Sequence, residues 1–159
     1  MRYALQSLLD IRLMREDKAS GELTAARQAV RTAEAALEDR RRDLAEFERT
    51  RDERRDRIYD TIMGRPVSRE QIDLAQEGVA RIDEEGVLKA DNVLRAEGEL
   101  KKRVTEADAA RDVFIAATKN RMKIDEHRAV WMAEEAKEEE HRAEGELEDF
   151  TGRKQNLDD

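Results

Sequence analysis

The side chains most able to do chemistry in this sequence are two histidines, His127 and His141. A histidine that binds a metal or acts as a general base needs a second ligand or an orienting carboxylate at a fixed spacing. These two are separated by about four helical turns, or ~21 Å, so they cannot share one metal ion. Neither belongs to a His-Glu-x-x-His zinc motif. We therefore expect both histidines to be solvated surface residues.

Other motifs of catalysis or cofactor binding are also missing from the sequence. It contains no Gly-x-x-x-x-Gly-Lys phosphate loop, no Gly-x-Gly-x-x-Gly turn and no calcium-binding loop of the helix-loop-helix type. The absence of cysteine excludes disulfides, thiolate metal sites and thiol catalysis, and it is typical of a reducing cytosol. We predict a protein that is not an enzyme and that binds no cofactor and no metal.

An arginine-rich stretch, residues 40–57, raises the possibility of nucleic-acid binding. It carries eight arginines, but six aspartates and glutamates are interleaved with them, and the whole chain has a net charge of -8. Phosphate binding needs a sustained positive surface, which this pattern does not supply. We expect a solvated face that pairs with acidic residues elsewhere in the chain, and no nucleic-acid partner.

The overall composition is typical of long helices. Charged residues make up 44% of the chain, aromatic residues 4% and hydrophobic residues 38%, with a single proline. No stretch approaches the ~20 apolar residues that a membrane span needs, and Asp10, Arg12 and Arg15 interrupt the apolar start, so we expect no signal peptide. The chain is predicted to be soluble and intracellular, without direct membrane insertion.

Apolar residues recur in alternating steps of four and three in both halves of the chain. In the first half, nine of these twelve positions are apolar: Ala19, Leu23, Ala26, Val30, Ala33, Leu37, Arg40, Leu44, Phe47, Arg51, Arg54 and Ile58. In the second half, thirteen of eighteen are apolar: Ile72, Ala75, Val79, Ile82, Gly86, Lys89, Val93, Ala96, Leu100, Arg103, Ala107, Ala110, Phe114, Ala117, Arg121, Ile124, Arg128 and Trp131. Such a repeat is the seam of a coiled coil.

One strong break separates the two halves. Gly64 suits a helix C-terminus, Pro66 cannot continue a helix, and Ser68 followed by Gln71 has capping-box spacing for a new one. A turn this short makes the helices antiparallel. We predict one all-α domain over 1–159, a long antiparallel two-helix coiled-coil hairpin with a C-terminal helical overhang. Its parts are helix 1 at about 3–63, a turn at about 64–68, helix 2 at about 69–150 and a disordered tail at 151–159.

The position of the turn also predicts the register. If it centres near Pro66, residues 40–57 face residues 74–91, whose charge is net negative, and Arg54 lies near Glu77. Helix 2 would then have no intramolecular partner beyond Trp131. We expect the acidic overhang, residues 134–150, to be frayed or bound to a partner.

Three stretches of the sequence resemble the YscO family of type III secretion and its flagellar counterpart FliJ. The opening, residues 5–19, reads Leu-Gln-Ser-Leu-Leu-Asp-Ile-Arg-Leu-Met-Arg-Glu-Asp-Lys-Ala. The middle has Ile58-Tyr59-Asp60, a polar turn and then Ser68-Arg69-Glu70-Gln71-Ile72. The end runs from a basic stretch at 119–126 through a Glu-rich run to Glu146-Leu147-Glu148-Asp149-Phe150. The resemblance covers essentially the whole chain.

The resemblance implies a non-catalytic stalk protein that links a hexameric secretion ATPase to the cytoplasmic domain of an export gate and also handles export chaperones. It implies a cytoplasmic location, peripheral to a membrane-embedded apparatus, and we expect a monomer when the protein is isolated. The residues assigned to the ATPase end are Leu5, Leu8, Leu9, Ile11, Arg12, Lys123, Arg128 and Trp131. Those assigned to the gate-binding tip at the turn are Phe47, Arg51, Tyr59, Ile72 and Gln76.

Two other functions fit the same sequence pattern. A holdase-like chaperone would grip its clients with an exposed apolar tip, which Ile58, Ile62, Met63, Val67 and Ile72 could supply. A plain coiled-coil scaffold would instead pair between molecules. Suppression of client aggregation identifies the first of these, and light scattering identifies the second.

Overall fold

The chain folds into two long α-helices that pack against each other, as the computed structural model of the protein shows. The structure describes the backbone of residues 2–155 and the side chains of residues 2–149. Helix α1 spans Gln6–Asp60 and helix α2 spans Arg69–Gln155, and the described residues contain no strand. The predicted all-α helical hairpin is confirmed.

The turn between the helices is built as its residue types predict. The N–H of Met63 still donates to the carbonyl of Tyr59 at 3.0 Å, and Gly64 then adopts the left-handed region at φ +69°. A glycine there ends a helix without the steric cost that a Cβ would add. Ser68 and Gln71 form the predicted capping box: the Ser68 N–H donates to Gln71 Oε1 at 2.8 Å, and the Gln71 N–H donates to Ser68 Oγ at 3.2 Å.

Helix α2 continues past the end of the predicted second helix. It reaches Gln155, and residues 156–159 of the predicted tail lie outside the described residues. Between Met132 and Asp149 every residue is exposed except Glu135. Over the described part of the chain, neither helix contains a stretch long and apolar enough to cross a membrane.

The residues fall into two compact units, each built from a segment of both helices. The turn unit is residues 23–109, and the terminal unit is residues 1–22 together with 110–159. In the turn unit the buried core residues are Leu23, Ala33, Leu37, Phe47, Ala75, Val79 and Ile82. In the terminal unit they are Tyr3, Leu9 and Ala19, and half-buried seam residues of α2 lie with them.

The predicted seam is the packed face of both helices. Among the predicted seam positions of the two halves, only Arg40 on α1 and Ile72 on α2 are exposed, while the others are buried or half-buried. Apolar residues at this spacing lie on one stripe of a helix, and two such stripes cover each other. The periodicity of the sequence therefore identified the packed face correctly from Ala19 onward, while the buried Tyr3 and Leu9 lie before the start of the repeat.

The predicted partner of Arg54 is wrong by eight residues of α2, which is about two helical turns. Arg54 pairs with Glu85, at 2.7 Å between Nη2 and Oε2, and not with Glu77. The physical reason lies at the start of α2: residues 69–74 are all exposed, and the first buried residue is Ala75. The first turn of α2 therefore packs little against α1, and the residues of α2 that meet α1 lie further from the turn than predicted.

Candidate protein-binding surfaces

An aromatic cluster in the terminal unit joins the start of the chain to α2. Tyr3 is 6% exposed, and its ring centroid lies 5.3 Å from that of Trp131 and 5.9 Å from that of His127. The Tyr3 hydroxyl and His127 Nδ1 are 2.8 Å apart and share a hydrogen bond. The prediction that His127 is merely solvated is thus incomplete, because one ring nitrogen is engaged within the chain. The cluster closes the N-terminal end of the apolar seam.

Further along the same seam, a cluster of polar side chains takes the place of apolar ones. Glu16 accepts hydrogen bonds from the Thr118 hydroxyl, at 2.9 Å, and from the Arg121 guanidinium. Arg121 also donates to Asp125 at 2.5 Å. The hydrogen bond from Arg121 lowers the pKa of Glu16 against the effect of burial, which raises it. The cluster thereby keeps a half-buried carboxylate charged.

A groove with a basic rim lies beside this seam. It has a volume of about 400 Å³. Its lining consists of Arg12, Arg15, Lys18, Ala19 and Glu22 from α1 with Val113, Ala116, Ala117 and Asn120 from α2. The Nε atom of Arg12 is buried and has no hydrogen-bond partner within the described part of the protein. The groove thus combines small apolar residues with an excess of positive charge.

The eight residues predicted to face an ATPase all fall in the terminal unit, but they differ in exposure. Leu5, Ile11 and Lys123 are exposed, and so are their neighbours Leu13 and Met14, the latter at 71%. These residues present most of the surface that a partner could contact without any change in the helix pair. The other five are buried or half-buried and support the packing: Leu8, Leu9, Arg12, Arg128 and Trp131.

In the turn unit, Phe47 of α1 packs closely against Gly86 of α2. Phe47 is 5% exposed, and a Cβ built on Gly86 would lie 2.8 Å from Phe47 Cε1. Arg54 stacks over the same ring, with its guanidinium carbon 5.6 Å from the centroid, and pairs with Glu85. This hydrogen bond lowers the pKa of Glu85 and raises that of Arg54. Gly86 therefore gives space to an aromatic ring, and α2 runs through it as a continuous helix.

Cross-helix ion pairs accompany this contact. Arg41 pairs with Glu97 at 3.1 Å, and Arg55 lies 3.8 Å from Asp83. Both pairs join the arginine-rich stretch of α1 to acidic residues of α2. Asp83 lies within the predicted acidic window 74–91, while Glu97 lies beyond it. Because these side chains are largely exposed, the pairs contribute to alignment more than to stability.

The five residues predicted to bind an export gate also differ in exposure. Tyr59, Ile72 and Gln76 are exposed, Arg51 is half-buried and Phe47 is buried. A partner can therefore contact the first three directly. Phe47 contributes by holding α1 against α2, since it cannot reach a partner while the seam is closed.

No side-chain constellation suited to metal binding occurs among the described residues. A group of three or more histidines and carboxylates close enough to hold a metal ion is absent from that part of the chain. What the described residues offer instead are exposed apolar side chains and open grooves along the helix pair. Such surfaces are suited to binding other proteins.

Sequence reasoning missed two residues of the terminal unit. The apolar repeat does not include Tyr3, although the predicted register places it near residue 128, next to His127. Glu16 lies on the apolar stripe between Leu9 and Ala19, and a carboxylate there signals a buried partner of opposite charge. The predicted pairing of the helices was too approximate to identify Arg121.

Comparisons with known proteins give one match. The family model described as type III secretion protein YscO matches residues 5–153. Neither the curated proteins nor the solved structures include one that is similar to this chain.

Proposed function

Because the chain belongs to the YscO family of type III secretion proteins, we propose that it is the non-catalytic central stalk that couples a secretion ATPase ring to an export gate. In this proposal the protein is cytoplasmic, works as a monomer and carries no enzymatic activity of its own. Its partners are the ATPase hexamer, the cytoplasmic domain of the gate and the export chaperones. The observation that supports the proposal is the presence of exposed large hydrophobic side chains in each of the two units.

The terminal unit supplies the surface for the ATPase. Ile11, Leu13 and Met14 are large hydrophobic residues that the helix pair leaves exposed. Arg15 and Lys18 lie close to them on α1 and line the basic groove. Exposed apolar side chains next to positive charge are suited to an interface with an apolar core and acidic residues around it.

The turn unit supplies the surface for the gate. Tyr59 at the end of α1 and Ile72 in the first turns of α2 are exposed apolar side chains. Aromatic residues in such positions often carry much of the energy of an interface. Gly64 and the capping box at Ser68 hold the turn between them in one conformation.

Binding measurements with purified ATPase and purified gate domain test both assignments. Ile11→Glu and Met14→Glu together should abolish capture of the ATPase and leave capture of the gate domain unchanged. Tyr59→Glu and Ile72→Glu together should do the reverse. Each double variant is the control for the other, because both place two charges on exposed positions. If both variants bound both partners normally, the assignment of surfaces would be wrong.

One observation favours a holdase-like chaperone as a second candidate. Met63 is exposed in the turn, as are Ile72 and Leu74 soon after it. Ile58, Ile62 and Val67, which a client-gripping tip would also need, are half-buried. Suppression of the aggregation of a thermally unfolded test protein by the wild type, and its loss in Met63→Ser, would support this function over the stalk.

A further inference from the structure

A second row of apolar residues runs along α2 in the turn unit, apart from the seam. The large hydrophobic residues Leu74, Val87, Leu88 and Leu94 are each between 57% and 64% exposed. Over residues 23–60 of α1, by contrast, Tyr59 is the one exposed large hydrophobic residue that the structure describes. In the turn unit, the row of exposed large hydrophobic residues therefore lies on α2 and has no counterpart on α1.

Two of these residues, Val87 and Leu94, belong to a repeat that also contains three acids and is called the acidic row from here on. Glu77, Ala80, Glu84, Val87, Asp91 and Leu94 follow one another in alternating steps of three and four. Residues at this spacing share one helix face. The row begins two residues after the seam position Ala75 and two before Val79, which places it on the side of α2 that faces away from α1.

The acidic members of the row have no ion-pair partner. Within the described residues, neither Glu77, Glu84 nor Asp91 forms a hydrogen bond or an ion pair. The neighbouring acids Glu85 and Asp83, in contrast, pair with arginines of α1. Three carboxylates at seven-residue spacing therefore face solvent without an ion pair, and the exposed Arg81 and Arg95 are the basic residues of the same face.

A shallow depression marks the centre of the row. It has a volume of about 410 Å³, and its lining is Asp83, Glu84, Val87, Leu88 and Asp91. Two exposed apolar side chains and three carboxylates thus converge on one short stretch of α2. This combination suits an amphipathic helix whose apolar residues are accompanied by lysine or arginine.

We propose that this outer face of α2, from Leu74 to Leu94, is a docking surface for a basic amphipathic helix of a partner protein. The partner helix lies along α2 with its basic residues at the acidic row. Its apolar residues cover Val87, Leu88 and Leu94. A second copy that docks by the same face is a poor occupant, because two copies of the row would oppose like charges. Residues 23–60 of α1 also expose no large hydrophobic residue except Tyr59.

The test uses three fluorescent synthetic peptides of 21 residues and the full chain. The first peptide is a helix with a leucine row and lysines beside it. In the second, glutamates replace the lysines, and in the third, serines replace the leucines. Fluorescence anisotropy should show saturable binding of the first peptide only, weakening as salt is raised.

Two double variants with the same added charge locate the binding site. Val87→Glu with Leu94→Glu should weaken binding of the first peptide about tenfold or more. Val130→Glu with Met132→Glu, at positions on the same helix that are 58% and 54% exposed, should leave it unchanged. Far-UV circular dichroism should show all variants equally helical, since none of the substituted side chains is buried.

Several results would overturn the proposal. They are no binding of the first peptide, equal binding of the glutamate or serine peptide, or equal loss in the two double variants. Self-association of the wild type that disappears in Val87→Glu with Leu94→Glu, seen by light scattering, would also overturn it, because the occupant would then be a second copy.

Discussion

The ring of Phe47 occupies the space that a side chain on Gly86 would need. A Cβ at residue 86 would lie 2.8 Å from Phe47 Cε1 and 3.2 Å from Cζ. Ordinary contacts of a Cβ begin at about 3.4 Å, so the ring or the helix would have to move. The glycine in the α2 seam is therefore part of the core packing of the turn unit.

This contact predicts opposite effects for two glycine substitutions. Alanine favours a helix over glycine by about 1 kcal/mol, but overpacking a core costs about 1–3 kcal/mol. Gly86→Ala should therefore lower the free energy of unfolding, by up to about 2 kcal/mol. Gly98→Ala, with nothing within 4 Å of its Cβ, should raise it by up to about 1 kcal/mol. Urea denaturation followed by circular dichroism measures both, and equal stabilisation would show that the Phe47 ring is not confined.

The cluster around Glu16 predicts a pH-dependent stability. The hydrogen bond from Arg121 lowers the pKa of Glu16 below its ordinary value of 4.5. A lowered pKa in the folded state contributes stability that is present above the unfolded pKa and is lost as the pH falls through the folded pKa. Glu16→Gln should thus be less stable than the wild type at pH 7, and the difference should shrink below pH 4.5.

Denaturation curves at neutral and acidic pH measure this difference. Glu22→Gln is the matched control in the same unit, because its exposed pair with Lys18 has a separation of 3.9 Å. It should change stability little at any pH. An equal loss in both variants at neutral pH would mean that the hydrogen bonds of Glu16 contribute nothing beyond charge.

The aromatic cluster predicts a fluorescence change. The chain has a single tryptophan, and Trp131 packs against Tyr3. Tyr3→Ala should shift the Trp131 emission to longer wavelength, because the indole gains contact with water. Tyr3→Phe keeps the ring and should leave the emission in place, at a cost of about 0.5–1.5 kcal/mol for the lost hydrogen bond. Tyr59→Ala removes the other tyrosine and should have no effect on the emission.

The capping box predicts a local effect at the start of α2. Ser68→Ala removes the acceptor of the Gln71 N–H and should destabilise this end of the helix by about 0.5–2 kcal/mol. Hydrogen exchange of the amides at 69–74 should become faster. Ser68→Asp retains a good capping acceptor, so exchange in that variant should remain close to that of the wild type. Equal acceleration in both variants would contradict the role of the cap.

The sequence was sufficient to predict the seam, the turn and the cap. Leu23, Leu37 and Ile82 are buried because an apolar residue every 3.5 positions must face a partner helix. The alignment of the helices was not predictable in the same way. It depends on the path of residues 61–68 between the helices, and shifting α2 by one or two turns still places apolar residues opposite apolar ones. Arg54 therefore meets Glu85, while the sequence pattern indicated Glu77.

Exposure could be predicted from the sequence, but contacts between individual side chains could not. A periodic pattern identifies which face of a helix is buried; it leaves Ile11 and Tyr59 off the seam, and both are exposed. It does not identify pairs such as Phe47 with Gly86, because their contact depends on how closely two backbones approach. From the sequence alone, a glycine in a seam is expected only to destabilise its helix, because the side chain that packs against it is not known.

The left-handed backbone of Gly64 has a consequence for chemical synthesis of the protein. Its φ of +69° is strained for an ordinary amino acid, yet open space surrounds its α-carbon. A mirror-image residue prefers that conformation. D-Alanine introduced at this position by chemical ligation should fit without a clash and should reduce the conformational entropy of the unfolded state. It should therefore raise the free energy of unfolding by about 0.4–1 kcal/mol. The L-enantiomer at the same site should have the opposite effect, so the handedness of a single carbon would decide the outcome.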